Sequence, residues 1–283
     1  MITKPTDRIK FPRDTALRRE LLPHSDHSAK MNLHLLDAIL DKHIPKRKLN
    51  DDGIDILDPM AGCGSILYAL TKGYLVTALE LEPEHVIKIG ANYKHLRTVN
   101  GHQWIGAAYW CQGNAADWSG IKTSTSHPIR SIVFSPPYGD LARRHRATEH
   151  NTFNNANVPS WRKSRKDSGF HVDSYGHEFF QIGSMDYSRH VAAMAIVYRN
   201  CARLLAIRGT MVVVTADWWR DFNRVPYRQH TCDLATAAGF EFADWWQRDR
   251  SHQLTSWNRM RLKAGKPVIM EEDVQVFRRT AAP

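Results

Sequence analysis

Cysteine is scarce: Cys63, Cys111, Cys201 and Cys232 are the only four in 283 residues, and they lie far apart. That spacing gives neither the two-residue pairing of a zinc knuckle nor a secreted disulfide framework, so they read as free thiols in a reducing compartment. No stretch approaches the ~18 apolar residues of a membrane span, and the opening MITKPTDRIKFPRD is too polar for a signal peptide. A soluble, cytoplasmic protein is expected. No HExxH or Cys-rich partner accompanies histidine pairs such as His24 and His27, so no metal centre is expected either. The GxxxxGK[ST] phosphate loop and the third glycine of the dinucleotide fingerprint are both missing, which disfavours triphosphate hydrolysis and NAD binding. Gly at 16 and Pro at 13 are too few for a fibrous or low-complexity chain.

What is present suits a folded chain with a large core, since the hydrophobic fraction is 42% and the charged fraction 24%. Thirty-nine Lys and Arg against 29 Asp and Glu give a formal charge of +10. A polyanion is the first partner to consider, although acidic proteins and membrane surfaces attract basic chains too.

Apolar strand-like runs alternate with helical stretches from about residue 30, the pattern of an α/β domain with a largely parallel sheet. Helical spacing marks Met31 to Leu40, and strands are expected at Ile54–Leu57, Leu75–Leu79, Ala107–Gln112, Ser131–Phe134 and Thr210–Thr215. Helices are expected through Glu84 and Tyr93 and over about Ser188–Leu205; Phe240–Trp246 and Asp273–Arg278 would complete the sheet. Residues 139–187 differ, being poor in aliphatic side chains. Over 141–171, Arg143, Arg144, Arg146, Arg162, Lys163, Arg165 and Lys166 face only Glu149 and Asp167. Read as a nucleic-acid contact element, this insertion would neutralise phosphates while Phe153, Trp161 and Phe170 offer faces for stacking; read blandly, it is a disordered surface loop. The chain thus divides into 1–138, the basic insertion 139–187, and 188–283.

Two strings carry chemistry. Asp58-Pro59-Met60-Ala61-Gly62-Cys63-Gly64 sits where a strand hands over to a helix, and its glycines let backbone approach a ligand closely. Glu80 ends the next strand, 18 residues beyond Gly62, about where an acid can accept hydrogen bonds from ribose hydroxyls. Ser135-Pro136-Pro137-Tyr138 follows a buried strand directly. Two prolines cannot continue a central strand, so the chain leaves the sheet rigidly at its carboxyl edge, where ligands bind in open α/β sheets. A stiff structural turn is the plain alternative.

Taken in order, DPMAGCG, ALE ending at Glu80, QGNAAD and SPPY resemble the class I S-adenosylmethionine-dependent amino-methyltransferases of DNA, which modify cytosine N4 or adenine N6. HSAKMNLHLLDAIL, VYRNCARLLAIRGTMVVV and EDVQVFRR extend the resemblance over residues 24–138 and 185–279. It implies a Rossmann-like fold with a seven-stranded, mostly parallel sheet and helices on both faces. It also implies S-adenosylmethionine as cofactor. Asp58, Met60, Ala61, Gly62 and Gly64 would line the cofactor's methionine end, Glu80 its ribose and Asn114 its adenine, with Lys30 near the family's first motif.

Ser135, Pro136, Pro137 and Tyr138 would be the catalytic set. The Pro136 carbonyl and Ser135 side chain would accept the amine protons of a flipped-out base, and Tyr138 would stack on it. Carbon-5 methylation of cytosine needs a Pro-Cys pair in that family, and none of the 13 prolines precedes a cysteine. Serine before the prolines favours cytosine N4 over adenine N6. Arg143, Arg144, Arg146, Trp161, Arg162, Lys163, Arg165 and Lys166 would meet double-stranded DNA, and a cognate restriction nuclease is the further partner this family suggests. The tryptophan pairs Trp218-Trp219 and Trp245-Trp246 are candidates for a base-pocket wall, with core packing the default for one of each. The alternatives are adenine N6 methylation, an RNA or protein amino-methyltransferase, and a catalytically silent nucleic-acid-binding subunit.

Overall fold

A computed structural model describes residues 5–12, 21, 31–46, 55–100, 106–117, 129–137, 181–220, 223–253, 259 and 262–280. In chain order the elements are β1 (Arg8–Lys10), α1 (Leu33–His43), β2 (Asp55–Asp58), β3 (Leu75–Glu80), α2 (Pro83–Val99), β4 (Ala108–Gln112) and β5 (Ile129–Phe134). They continue with α3 (Tyr187–Leu204), β6 (Leu205–Thr215), β7 (Trp218–Arg220), β8 (Asn223–Val225), α4 (Tyr227–Ala237), β9 (Phe240–Asp249) and β10 (Glu271–Arg279).

Eight strands form one sheet in the order β1-β9-β10-β6-β5-β2-β3-β4, while β7 and β8 make a separate hairpin. β2 pairs in parallel with β3 on one side and β5 on the other. The chain therefore winds outward in both directions from β2, and the strand order reverses between β2 and β5. That reversal opens a crevice at the carboxyl ends of these strands. Among the described strands of this sheet only β10 runs antiparallel, against both β6 and β9. This is the Rossmann-like class I methyltransferase architecture, with one correction: the sheet has eight strands rather than seven. The extra strand, β1, is three residues long and adds in parallel to the edge of β9, too short to leave a periodic signal in sequence.

Period-two alternation explains the two cores. Ile56, Val76, Val133, Val212 and Val214 face a cluster with Leu36, Ile39 and Leu40 of α1 and Ile89 and Leu96 of α2. Their sequence neighbours Leu57, Ile132, Phe134, Met211 and Val213 face the opposite cluster with Met194, Val197, Tyr198 and Cys201 of α3. Successive strand side chains point to opposite faces, so strands covered on both sides read as unbroken apolar runs. Each fully buried aliphatic contributes roughly 1.5–3 kcal/mol, and the summed burial holds the crevice rigid. Helix starts are fixed by side-chain caps: Asn32 Oδ1 accepts from the Leu35 amide at 3.0 Å, and Asp186 Oδ1 from the Arg189 amide at 3.0 Å.

Candidate active site

The glycine loop leaves β2 at Asp58 and is tied down by its own backbone. The Met60 amide donates to Asp58 Oδ1 at 2.9 Å, the Ala61 amide to the Leu79 carbonyl at 3.0 Å, and the Gly64 amide to the Ala61 carbonyl at 2.8 Å. Gly62 and Gly64 hold φ of 54° and 85°, in the left-handed region. A Cβ on Gly64 would also lie 3.1 Å from Ile89 Cγ1 and 3.3 Å from Leu67 Cδ1, a tight fit that adds to the strain of its positive φ. The loop passes into a 3-10 helix, Ser65–Lys72.

Glu80 closes β3 beside this loop. Its Oε2 accepts from the Gly62 amide at 2.6 Å and its Oε1 from the Glu82 amide at 2.9 Å, with the side chain buried. Each carboxylate oxygen has capacity for a further hydrogen bond, so Glu80 both builds the loop and can serve a diol. Asp58 is also buried. Burial, opposed by the Met60 amide and reinforced by the negative charge of Glu80, pushes its carboxyl up to about 8. Among the described residues no Lys or Arg lies within ion-pairing distance of Asp58 or Glu80; the nearest cationisable group is His85, whose Nδ1 is 3.8 Å from Glu80 Oε1.

β5 delivers the diproline bend to the same place. Phe134 is in register with Val213 of β6, and the chain then departs from the sheet. Ser135 and Pro137 line one cavity together with Asp58, Gly62, Glu80 and Asn114, and Pro136 is buried behind them. Met60 and Ala61 line it as well. Asn114 is held by an Asx turn, its Oδ1 accepting from the Ala116 amide at 2.9 Å. Gly64 is not among the residues that line the cavity and packs near Leu67 and near Ile89 of α2.

Further wall residues were not singled out individually by the sequence. Leu81, Ile66 and Ala115 supply apolar surface, while Met31, His85, Gln181 and Ile182 come from elsewhere in the chain. Leu81 and His85 were legible in principle, flanking the acid at the β3–α2 junction; Gln181 and Ile182 were not, because nothing local links them to a site. Both precede α3 in the stretch that sequence composition groups with the basic insertion.

Trp218, Trp245 and Trp246 are held by other contacts, and the side chain of Trp219 lies outside the described residues. Trp246 is fully buried between Phe11 and His43, to which its Nε1 donates at 2.9 Å. Trp245 Nε1 donates to Asp273 at 2.9 Å, and the Arg228 guanidinium stacks 4.0 Å from its ring centre. Trp218 packs against Tyr187, His190 and Tyr227. Lys30, Tyr138, His24, His27 and the whole set Arg143, Arg144, Arg146, Phe153, Trp161, Arg162, Lys163, Arg165, Lys166 and Phe170 lie outside the described residues. No described helix is long and apolar enough to cross a membrane.

No family model matches the chain, and no curated protein matches it in sequence. Solved structures resemble it in shape. TrmN from Thermus thermophilus is 15% identical with a TM-score of 0.45, covering 89% of this chain, which spans only 50% of that one. An S-adenosylmethionine-dependent methyltransferase from Methanosarcina mazei is 11% identical with a TM-score of 0.45, over 82% of this chain and 95% of its own. A protein described as a putative DNA modification methylase, also from Thermus thermophilus, is 13% identical with a TM-score of 0.36, over 60% of this chain and 53% of its own. At these scores the likenesses add nothing to what strand order and cavity already state.

Proposed function

We propose that this protein is an S-adenosylmethionine-dependent methyltransferase that modifies the exocyclic N4 amine of cytosine in duplex DNA. One observation carries the reading: Ser135 and Pro137, Gly62 and Glu80 line a single cavity at the point where the strand order reverses.

The cavity's chemistry fits the cofactor. Two buried carboxylates with no Lys or Arg partner among the described residues suit a ligand bearing an ammonium, a sulfonium and a ribose diol. Leu81, Ile66 and Ala115 suit a flat base, and left-handed glycines let backbone amides come close. Asp58, Met60, Ala61, Gly62 and Gly64 serve the methionine end, Glu80 the ribose and Asn114 the adenine. When bound, the cofactor supplies an electrophilic methyl group.

The chain's own contribution is to make a poor nucleophile reactive. An exocyclic amine is deactivated because its lone pair is delocalised into the ring. Acceptors that engage both amine protons pull density back onto nitrogen, an interaction stronger in the transition state than before it. The Ser135 hydroxyl and the Pro136 carbonyl, held by two fixed φ angles, are those acceptors. Tyr138 stacks on the extruded base, and the proton that leaves nitrogen on transfer passes to solvent. Extrusion costs a few kcal/mol, offset by phosphate contacts from Arg143, Arg144, Arg146, Arg162, Lys163, Arg165 and Lys166, with Trp161 stacking nearby.

Tritium transfer from methyl-labelled cofactor tests the reading. Label entering duplex DNA, and not ribosomal RNA, transfer RNA or protein, is expected. Label in RNA or protein would move the assignment to another acceptor of the same fold, and no binding of the cofactor would reduce the chain to a silent scaffold. Whether a restriction nuclease is a partner follows from co-purification with the enzyme that cuts the same site unmodified.

A further inference from the structure

Glu80 ends β3, and two residues later Glu82 stands at the N-cap position of α2. Glu82 is more deeply buried than Glu80, at 2% exposure, and its Oε1 accepts from Gln181 Nε2 at 2.9 Å across 99 positions of sequence. Gln181 is itself 9% exposed, and both it and Ile182 line the cavity. The same short segment is gripped from its other side. His190, fully buried, sets Nδ1 3.3 Å from the Ile182 carbonyl and Nε2 2.8 Å from the Tyr227 hydroxyl. A carbonyl can only accept, so Nδ1 carries the proton and Nε2 accepts from tyrosine, which is the neutral imidazole that burial favours. α2 thus fixes Gln181 while α3 and α4 fix Ile182.

This clamp settles which way the amide faces. A carboxylate only accepts, so Gln181 must give its nitrogen to Glu82, and its carbonyl oxygen turns the other way. We propose that Gln181, through this oxygen, is a third polar contact to the nucleoside end of the cofactor, beside Glu80 and Asn114, accepting from a ribose hydroxyl or the 6-amino group. Glu82 is its positioning residue. The proposal rests on the cofactor reading above and adds to it a residue that no motif marks.

Calorimetry on the full chain with S-adenosylhomocysteine, its 6-oxo (inosyl) analogue and its 2′,3′-dideoxy analogue provides the test. Gln181→Met is expected to weaken S-adenosylhomocysteine about ten-fold. Glu82→Gln, which keeps a hydrogen bond but frees the amide to flip, is expected to weaken it about two- to three-fold. The cost of Gln181→Met should shrink below about two-fold for whichever analogue lacks the matching donor, the 6-oxo form identifying the amine and the dideoxy form the ribose. If Gln181→Met strands the Glu82 carboxylate and fails to fold, the double variant Glu82→Leu/Gln181→Met removes both polar groups and reads the same ratio. Wild-type affinity in these variants, or one equal loss for all three ligands, overturns the proposal while leaving the cofactor reading intact. Failure of the wild type to bind any of the three removes both.

Discussion

Glu272 and Asp249 at one end of the sheet are treated differently from Asp58 and Glu80 at the cavity. At the β1–β9–β10 end, Glu272 pairs with Arg248 at 2.7 Å and Arg250 at 2.9 Å, and Asp249 lies 3.4 Å from Arg8 and 3.9 Å from Lys10. Burial there is outweighed by the Ser251 amide and hydroxyl and the Arg8 and Lys10 charges, which hold the Asp249 carboxyl below its ordinary range. At β2 and β3, Asp58 and Glu80 are buried and meet backbone amides, and the one cationisable group beside them among the described residues is His85, 3.8 Å from Glu80. Evenly paired charge belongs to structure. A buried carboxyl group facing a cavity, with no Lys or Arg beside it among the described residues, is poised for a ligand that brings a cation.

Substitutions in the two groups should separate cleanly. Glu80→Gln is expected to weaken S-adenosylhomocysteine about 100-fold, two hydrogen bonds to a charged acceptor being worth about 1.5–3 kcal/mol each, as titration calorimetry would record. Glu272→Gln removes the carboxylate that Arg248, whose side chain is only 7% exposed, shares with Arg250. It should cost about 3 kcal/mol of stability in urea unfolding and leave ligand affinity within about two-fold. Loss of affinity there would erase the contrast. Ser135→Ala should lower turnover about ten-fold with the dissociation constant of the product unchanged, since one acceptor is lost only as nitrogen reacts.

The smallest change in affinity is a pH dependence. Folded Asp58 keeps its proton up to about 8, whereas the unfolded carboxyl loses it near ~4. The folded state therefore binds the extra proton across that window, and stability falls as pH rises through it, a slope that Asp58→Asn should remove. A cationic ligand reverses the preference, so affinity should rise about five-fold from pH 7 to pH 8 with release of a proton. Buffers of different ionisation enthalpy would reveal that proton. His43, drawn down to about 4 chiefly by burial and the Lys42 charge, acts oppositely. Its contribution is present above the unfolded value of about 6.5 and is lost as pH falls towards 4.

Residue pattern announced the central sheet because its strands are covered on both faces and read as apolar runs. The expected strand Leu75–Leu79 and helix through Glu84 and Tyr93 match β3 and α2, and the expected Asp273–Arg278 falls within β10. β1, the β7–β8 hairpin and α4 were not legible. The strands among them are three residues each, and α4 is a mostly polar helix that starts at Tyr227, just after Pro226. The site divides likewise. Asp58, Gly62, Glu80 and Ser135 stand in compact strings whose chemistry is local. Gln181 joins them only through a hydrogen bond to Glu82 that spans 99 positions, a relation no local window contains. Indole composition likewise cannot distinguish a cavity wall from core packing, and Trp246, packed between α1 and β9, takes the core role expected of one member of its pair.

Digestion of duplex DNA to nucleosides after incubation with methyl-labelled cofactor, followed by mass spectrometry, bears most directly on the diproline bend as an amine-activating device. N4-methylcytosine is the predicted product, and Pro137→Ala should suppress it while cofactor still binds. A methyl group on carbon 5 of cytosine, or unmethylated DNA from an enzyme saturated with cofactor, would contradict the account.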